Sequence, residues 1–302
     1  MAEIRTSRYD LKEEGGCSME KEMFLFPGKA PGSERVQLEE KIFEEPWEHT
    51  FKRVVQGVTA PSVIPYVPEQ PNGVAVIVIP GGGYRRQVLN LEGADIAKWL
   101  NSFGVTAFVL KHRMPGDGHE HALDVPLQDG QRAVRLVRSM AFQYGINPEK
   151  VGVMGFSAGG HLASALGTCY DRKFYEPIDS ADQISAKPDF MVLCYPCISL
   201  NGWDGKDKDF PTPLMEMVKK YSTDELVTKD TPTSFIMVAD DDTTTPAEHS
   251  VSFYLALRKA RVSAELHAYK SGKHGFGMGT TKGPVQGWTA ACKSWLETVT
   301  AM

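Results

Sequence analysis

The chain has 302 residues, of which 42% are hydrophobic and 24% charged, the balance of a globular protein. Its formal net charge is −5 and its lysines and arginines form no cluster, so nucleic acids and anionic membranes are not expected as partners. No apolar run reaches the roughly 18 residues that a membrane-spanning helix needs, so no such helix is expected in this sequence.

The first 22 residues are charged and lack the apolar core of a secretion signal, which predicts a loosely packed N-terminal arm. A cytoplasmic protein is therefore expected, or a secreted one from which a signal has been removed. The five cysteines are odd in number and scattered, which suits a reducing compartment. Cys194 and Cys197 end an apolar run and no second pair completes a zinc site, so buried thiols and no metal are predicted.

Short apolar runs alternate with amphipathic stretches along the rest of the chain. The first two strands, 51–58 and 62–67, are predicted to pair with each other around Thr59–Ala60–Pro61. The other predicted strands are 74–79, 105–110, 151–154, 190–195, 234–239 and 263–269, and the predicted helices are 93–103, 124–144, 158–169, 247–260 and 285–299.

Strands separated by helices of ten or more residues imply right-handed crossovers, which produce parallel strands with helices on both faces. The predicted fold class is therefore α/β, with a mostly parallel central sheet of about eight strands. Residues 23–302 are expected to form a single domain.

One segment, residues 201–230, breaks the alternation. It is rich in aspartate, lysine and proline, and only residues 214–221 have a helical pattern. Because it follows a strand end, where ligands bind to open α/β sheets, it is interpreted as a polar insertion beside the active site. A solvated loop without contact to substrate remains the alternative.

The candidate nucleophile is Ser157, in the segment Gly155–Phe156–Ser157–Ala158–Gly159. This G-x-S-x-G pattern follows a β-branched run and precedes a helical run, which predicts a sharp strand-turn-helix. A serine at such a turn has a strained backbone, and its hydroxyl stands clear of the sheet. Only small residues fit two positions away from it on either side, because strand and helix nearly touch there.

The candidate base is His274, which lies between glycines in a loop after the last predicted strand. Three histidines at 112, 119 and 121 either line the pocket or are satisfied elsewhere, and His161 is expected to pack. The candidate acid is one of Asp240, Asp241 and Asp242, which follow strand 234–239. The order Ser…Asp…His is that of α/β hydrolases rather than of chymotrypsin or subtilisin.

The candidate oxyanion donors are backbone N–H groups of Gly81–Gly82–Gly83, directly after strand 74–79. Successive glycines allow amides to be aimed at one point. A phosphate loop is the alternative, but the spacing fits neither a P-loop nor a dinucleotide-binding loop.

These segments resemble the bacterial acetyl xylan esterase-like branch of the α/β-hydrolase superfamily, which is related to hormone-sensitive-lipase-like esterases. The resemblance covers roughly residues 24–298 and implies the α/β-hydrolase fold. It is carried by the residues 25–32, 80–84, 99–113, 126–138, 155–163, 264–269 and 272–277.

The resemblance also implies a role for each site residue. Ser157 takes the place of the nucleophile and His274 that of the base. Relatives usually have Asp-x-Val-Val-Pro where this chain has Asp242–Thr–Thr–Thr–Pro246, which favours Asp242 as the acid. The oxyanion amides would be those of Gly82, Gly83 and Ala158, and Pro80 stands where many lipase-like relatives have histidine.

The function implied is a serine carboxylesterase that removes acetyl groups from small acylated carbohydrates, most simply acetylated xylo-oligosaccharides, without metal or cofactor. Two other classes stay open: a feruloyl or aryl esterase or small peptide or amide hydrolase on the same fold, and a ligand-binding module without activity. Tyr84, Trp203 and Tyr221 are the candidate substrate-binding residues, because aromatic rings stack on sugars. A homo-oligomer is also left open.

Overall fold

The structure, a computed structural model, describes residues 17–19, 21–48, 50–200, 211–278 and 283–301. Its strands are β1 (Cys17–Met19), β2 (Met23–Phe24), β3 (Lys41–Trp47), β4 (Thr50–Gln56), β5 (Ser62–Pro68), β6 (Ala75–Ile79), β7 (Gln87–Val88), β8 (Thr106–Lys111), β9 (Val151–Phe156), β10 (Phe190–Cys194), β11 (Thr233–Ala239) and β12 (Ala264–Tyr269). Its α-helices are α1 (Asp95–Asn101), α2 (Val125–Ser139), α3 (Ala158–Thr168), α4 (Thr212–Lys220), α5 (Ala247–Lys259) and α6 (Trp288–Ala301).

Nine of the described strands form one central sheet in the order β1-β5-β8-β6-β9-β10-β11-β12, with β2 also paired to β5. Six neighbouring strands of this sheet, β8-β6-β9-β10-β11-β12, are parallel to one another. Strand β5 pairs antiparallel with β1, β2 and β8. The predicted α/β class and mostly parallel sheet are therefore confirmed.

Helices cover the sheet on both faces because successive strand side chains point to opposite sides. In β6, for example, Val76 and Val78 pack with α1 and α6, whereas Ile77 and Ile79 pack on the side of α2, α3 and α5. The central strands are buried along their whole length, which explains their continuous apolar runs.

The parallel arrangement brings the carboxyl ends of β6, β9, β11 and β12 to one edge of the sheet. The segments that leave this edge are the glycine loop after Ile79, the turn at Ser157, the aspartates after Ala239 and the loop that carries His274. All four sequence-predicted features therefore emerge on the same side of the molecule.

The predicted pairing of strands 51–58 and 62–67 is wrong. The first of them, β4, pairs with β3 and β7 in a separate three-stranded sheet, while β5 joins the central sheet. Strand β4 belongs to the separate sheet because Val54 packs against Val88 and Leu91, in a small hydrophobic cluster apart from the main core. Strand β3 was not predicted because it is exposed along most of its length and contains Pro46, so it has no apolar alternation.

Of the predicted N-terminal arm, residues 17–19 form β1 at the edge of the central sheet. Glu22 is buried and accepts a hydrogen bond from Ser62 Oγ at 2.5 Å. Residues 1–16 and 20 lie outside the described residues. Among the helices that are described, none has the length and apolarity to cross a membrane.

Candidate active site

Ser157 occupies a strained turn between β9 and α3. Its backbone angles are φ 54° and ψ −118°, in the positive-φ region that residues with side chains rarely adopt. The backbone of α3 can approach β6 this closely because Gly159 has no side chain. A Cβ on Gly159 would lie 2.2 Å from the carbonyl oxygen of Ile79. The strained serine and its small neighbours match the sequence-based expectation.

His274 lies directly against this serine. Its Nε2 is 2.9 Å from Ser157 Oγ, and its Nδ1 is 2.7 Å from Asp242 Oδ2. The carboxylate can only accept, so Nδ1 carries the proton, and Nε2 is then free to accept from the serine hydroxyl. The three side chains form one continuous hydrogen-bonded chain, although they come from separate strand ends.

The three consecutive aspartates have different surroundings. Asp242 is buried, and its Oδ1 accepts the N–H groups of Thr244 and Thr245 at 2.9 Å each. Asp241 is exposed and bonds the N–H groups of Lys273 and Gly272 at 2.8 Å, and these bonds lower the pKa of its carboxyl. Asp240 is also exposed, and of the three only Asp242 bonds the imidazole of His274.

Thr245 adds a contact that sequence reasoning missed. Its Oγ1 is 3.1 Å from both Asp242 Oδ2 and His274 Nδ1, and 3.0 Å from the carbonyl oxygen of Tyr195. The Thr245 hydroxyl thus lies between the carboxylate of Asp242 and the imidazole of His274. Its only sequence signal is the Thr–Thr–Thr run after Asp242.

The glycine loop lies beside the serine. A Cβ on Gly81 would be 2.9 Å from Ser157 Cβ, and Gly82 and Gly83 have φ of 140° and 66°. Gly81 N–H donates to Glu92 Oε2 at 2.8 Å, whereas the N–H groups of Gly82, Gly83 and Ala158 donate to no acceptor in the described part of the chain. The predicted role of these three amides as oxyanion donors is therefore not opposed by another acceptor among the described residues.

A buried network, also missed from the sequence, connects the glycine loop to the loop of His274. Glu92 Oε1 accepts from the Tyr195 hydroxyl at 2.9 Å, and that hydroxyl accepts from Gly277 N–H at 3.1 Å. The Tyr195 ring stands edge-on to His274, with 5.1 Å between ring centroids. Burial raises the pKa of Tyr195 well above its ordinary value, so the hydroxyl stays protonated.

Tyr84 and Tyr221, predicted to bind substrate, are both buried. The Tyr84 hydroxyl donates to His161 Nδ1 at 2.9 Å, and His161 Nε2 donates to the carbonyl oxygen of Tyr221 at 2.9 Å. The Tyr221 hydroxyl is bonded to Asp124. The hydroxyls of both tyrosines are thus bonded within the protein, and their role in binding substrate stays a prediction. Trp203 lies outside the described residues.

The described part of the polar insertion borders the site. In α4, Leu214, Met217 and Val218 pack into the main core, and the preceding Pro211 lies 2.9 Å from where a Cβ on Gly83 would be. These residues are packed rather than solvated, whereas contact of the insertion with substrate stays a prediction.

The three histidines at 112, 119 and 121 form no hydrogen bond with Ser157 in the described part of the chain. His112 bonds the carbonyl oxygen of Arg113, His119 bonds Ser33 Oγ, and His121 is exposed. Cys194 and Cys197 are buried free thiols, as predicted, and burial raises the pKa of both. Among the residues that the structure describes, no group of three or more potential ligands could hold a metal ion.

A parallel sheet with a strained serine turn after a central strand, and with histidine and aspartate at later strand ends, defines an α/β hydrolase. Within this class, the chain belongs to the BD-FAE family, whose sequence profile matches residues 64–257.

Individual relatives agree with this family. An acetylxylan esterase of Xylanibacter ruminicola is 36% identical over 228 residues, which are 71% of this chain but only 43% of the relative. The acetyl ester-xyloside bifunctional hydrolase of Caldicellulosiruptor lactoaceticus is 35% identical in sequence, and its crystal structure superimposes with a TM-score of 0.70, covering 80% of this chain and 88% of the other.

A further solved structure is MGS-M1, an α/β hydrolase enzyme from a Medee basin deep-sea metagenome library. It is 26% identical, with a TM-score of 0.62 and coverage of 87% of this chain and 99% of that one. The suspected superfamily and branch are therefore confirmed. The chain spans less than half the length of the acetylxylan esterase relative.

Proposed function

We propose that this chain is a serine carboxylesterase that removes acetyl groups from carbohydrates, with acetylated xylo-oligosaccharides as substrates. The observation that carries the proposal is the unbroken hydrogen-bonded chain from Ser157 through His274 to Asp242. An imidazole held in this way can take the serine proton, while the buried carboxylate fixes its tautomer and stabilises the imidazolium that forms.

The reaction proceeds in two acyl-transfer steps. In the first, Ser157 Oγ attacks the acetyl carbonyl as His274 Nε2 takes its proton, and the imidazolium then protonates the departing sugar oxygen. In the second, His274 takes a proton from water, which attacks the acetyl-serine ester and releases acetate. Serine and histidine both return to their starting states.

The oxyanion that forms in each step is stabilised by the free amides of Gly82, Gly83 and Ala158. Loss of one such donor costs about 3 kcal/mol of transition-state stabilisation in comparable enzymes. Because the donors are backbone groups in a fixed loop, they need no rearrangement when charge develops. This arrangement supports acyl transfer over simple ligand binding.

The names of the relatives support acetyl groups and xylo-sugars as substrates. One relative is called an acetylxylan esterase and another an acetyl ester-xyloside hydrolase.

The proposal is tested with p-nitrophenyl esters from acetate to octanoate, followed by acetate release from acetylated xylo-oligosaccharides. Each methylene that does not fit is worth about 1–3 kcal/mol of discrimination, so activity should fall steeply by butyrate and be negligible at octanoate. Ser157→Ala measures the background. A maximum at six carbons or longer would contradict carbohydrate deacetylation, and faster release of ferulate than of acetate would indicate an aryl esterase.

A further inference from the structure

An open cleft of about 550 Å³ begins where the glycine loop ends. The β3–β4 hairpin and its flanks form one wall, and the turn after β8 and the start of α4 form the other. Tyr84 and Arg85, which directly follow Gly83, line the cleft between these walls. None of these elements carries Ser157, His274 or Asp242.

The cleft is close to the nucleophile. Gly81 packs against Ser157, and a chain segment from Gly81 to Tyr84 can span at most about 11 Å when fully extended. Pro211 joins the two regions directly, because it touches Gly83 and also lines the cleft. A short chain of sugars whose acetyl group is at Ser157 can therefore reach into this cleft.

The walls carry groups that suit sugar hydroxyls. Glu39 and Gln56 come from the hairpin side, Asp117 lies across from them, and Lys41 and Arg85 add hydrogen-bond donors. Hydroxyl groups both donate and accept, so a mixed set of carboxylate, amide and cationic groups satisfies them better than an apolar wall.

Among the residues that line this cleft, Asp117 has a buried side-chain atom without a hydrogen-bond partner. Its Oδ2 atom is buried, yet no group in the described ranges donates a hydrogen bond to it. Burial raises the pKa of its carboxyl to about 6. A buried acceptor without a donor costs roughly 1–3 kcal/mol, and a bound hydroxyl would remove that cost once the carboxyl of Asp117 turns this oxygen toward the cleft.

We propose that this cleft binds the sugar chain of the leaving alcohol, with Asp117 accepting a hydroxyl hydrogen bond, so that the enzyme acts on acetylated oligosaccharides in preference to acetylated monosaccharides. The inference rests on the proposed esterase function. It adds which part of the substrate is recognised and where.

The test compares p-nitrophenyl acetate, which has no sugar, with acetylated xylose, xylobiose and xylotetraose. In the wild type, kcat/KM should rise with the number of sugars. Asp117→Asn keeps the shape of the side chain but makes it a weaker hydrogen-bond acceptor. It should lower kcat/KM on acetylated xylotetraose by roughly 10-fold, chiefly by raising KM. On p-nitrophenyl acetate the change should stay within about 2-fold. Asp171→Asn, which alters an exposed carboxylate outside the cleft, should change neither substrate.

Two results would overturn the inference: equal wild-type kcat/KM on acetylated xylose and xylotetraose, or an equal loss on both substrates in Asp117→Asn. If that variant does not fold, Gln56→Ala on the other wall takes its place and should show the same dependence on sugar length. Failure of the esterase function itself is recognised separately, because the wild type would then hydrolyse none of the acetyl esters.

Discussion

Asp242 and Asp241 are adjacent in the chain but have different hydrogen-bond partners. Asp242 bonds the imidazole of His274 from a buried position, whereas Asp241 fixes the backbone of Lys273 and Gly272 at the start of the same loop. The first fixes the tautomer of the imidazole, and the second only the loop that carries it. Loss of each should therefore have a different effect on turnover.

Asp242→Asn should lower kcat by up to about 10⁴-fold, by comparison with the serine-protease triad, because an amide there favours the wrong imidazole tautomer. Asp241→Asn should cost less than about 10-fold, since it removes a charge but leaves an acceptor for the loop amides. Steady-state kinetics on p-nitrophenyl acetate separate the two. Small and equal losses would show that Asp242 is not the acid.

The residue patterns alone left three aspartates open, and the resemblance favoured Asp242. The structure shows why the patterns could not decide. The choice depends on which carboxylate the turn after β11 buries, and on bonds from Thr244 and Thr245 that no periodicity describes. Ser157 and His274 were easier to predict, because the turn and the glycine-flanked loop leave local sequence signals.

His161 is held neutral in the core. Burial lowers its pKa to about 4, and a proton on Nδ1 would break the bond that Tyr84 donates. Between pH 6.5 and 4 the unfolded chain binds a proton that the folded protein does not. The stabilising contribution is therefore fully present above pH 6.5 and is lost as the pH falls toward 4.

The free energy of unfolding should fall by up to about 3 kcal/mol more across this range in the wild type than in His161→Gln. Urea unfolding at several pH values measures the difference. His121→Gln removes an exposed histidine and should keep the wild-type slope. A wild-type slope in His161→Gln would show that His161 is not the group responsible.

At the scale of elements, Glu92 joins loops that follow three different strands. It sits in a π-helical turn, Asn90–Ala94, that leads into α1. Asn90 ties this turn to β4 through bonds to Arg53 N–H and the carbonyl oxygen of Phe51. The carboxylate of Glu92 accepts hydrogen bonds from Gly81 N–H and from the Tyr195 hydroxyl. Since that hydroxyl also bonds Gly277 N–H, Glu92 connects the glycine loop with the loop of His274.

Glu92→Gln should lower kcat by about 10–100-fold with little change in KM, because one amide oxygen cannot accept from both Gly81 and Tyr195. Tyr195→Phe should have a smaller effect. The double variant should be no worse than Glu92→Gln, since the second change removes the competing donor. Turnover is measured per active site, which a fluorophosphonate probe counts.

Glu22→Gln is the matched control for this prediction. Glu22 is also buried and accepts from Ser62 and Lys111, but it lies in the segment leading into β2. It should lower stability and leave kcat per active site unchanged. If Glu92→Gln behaves in the same way, Glu92 serves the fold and does not position the reacting groups.

Some secondary-structure elements could be predicted from the sequence and others could not. Buried parallel strands and their covering helices were predicted within a few residues, since burial on both faces leaves a continuous apolar run. The β3–β4 hairpin was missed or mispaired, because exposed strands carry little pattern. The Glu92–Tyr195 contact joins residues 103 positions apart, and no local signal reports it.

At the scale of the whole molecule, the parallel sheet explains why residues scattered over the chain meet at one edge. The order of strands puts β9 near the centre, with β6 on one side and β10, β11 and β12 on the other. Ser157 thus stands between the glycine loop and the loops of Asp242 and His274. The fold could be predicted from alternation, whereas the cleft beside Tyr84 could not, since a hairpin and an insertion build its walls.

The most direct test of the account is mass spectrometry after reaction with a fluorophosphonate probe, combined with turnover of Ser157→Ala. The probe should modify Ser157 in the wild type and leave Ser157→Ala unmodified. That variant should stay folded and lose at least about 10³-fold in kcat. Modification of a different serine, or more than a tenth of wild-type activity in Ser157→Ala, would contradict Ser157 as the nucleophile.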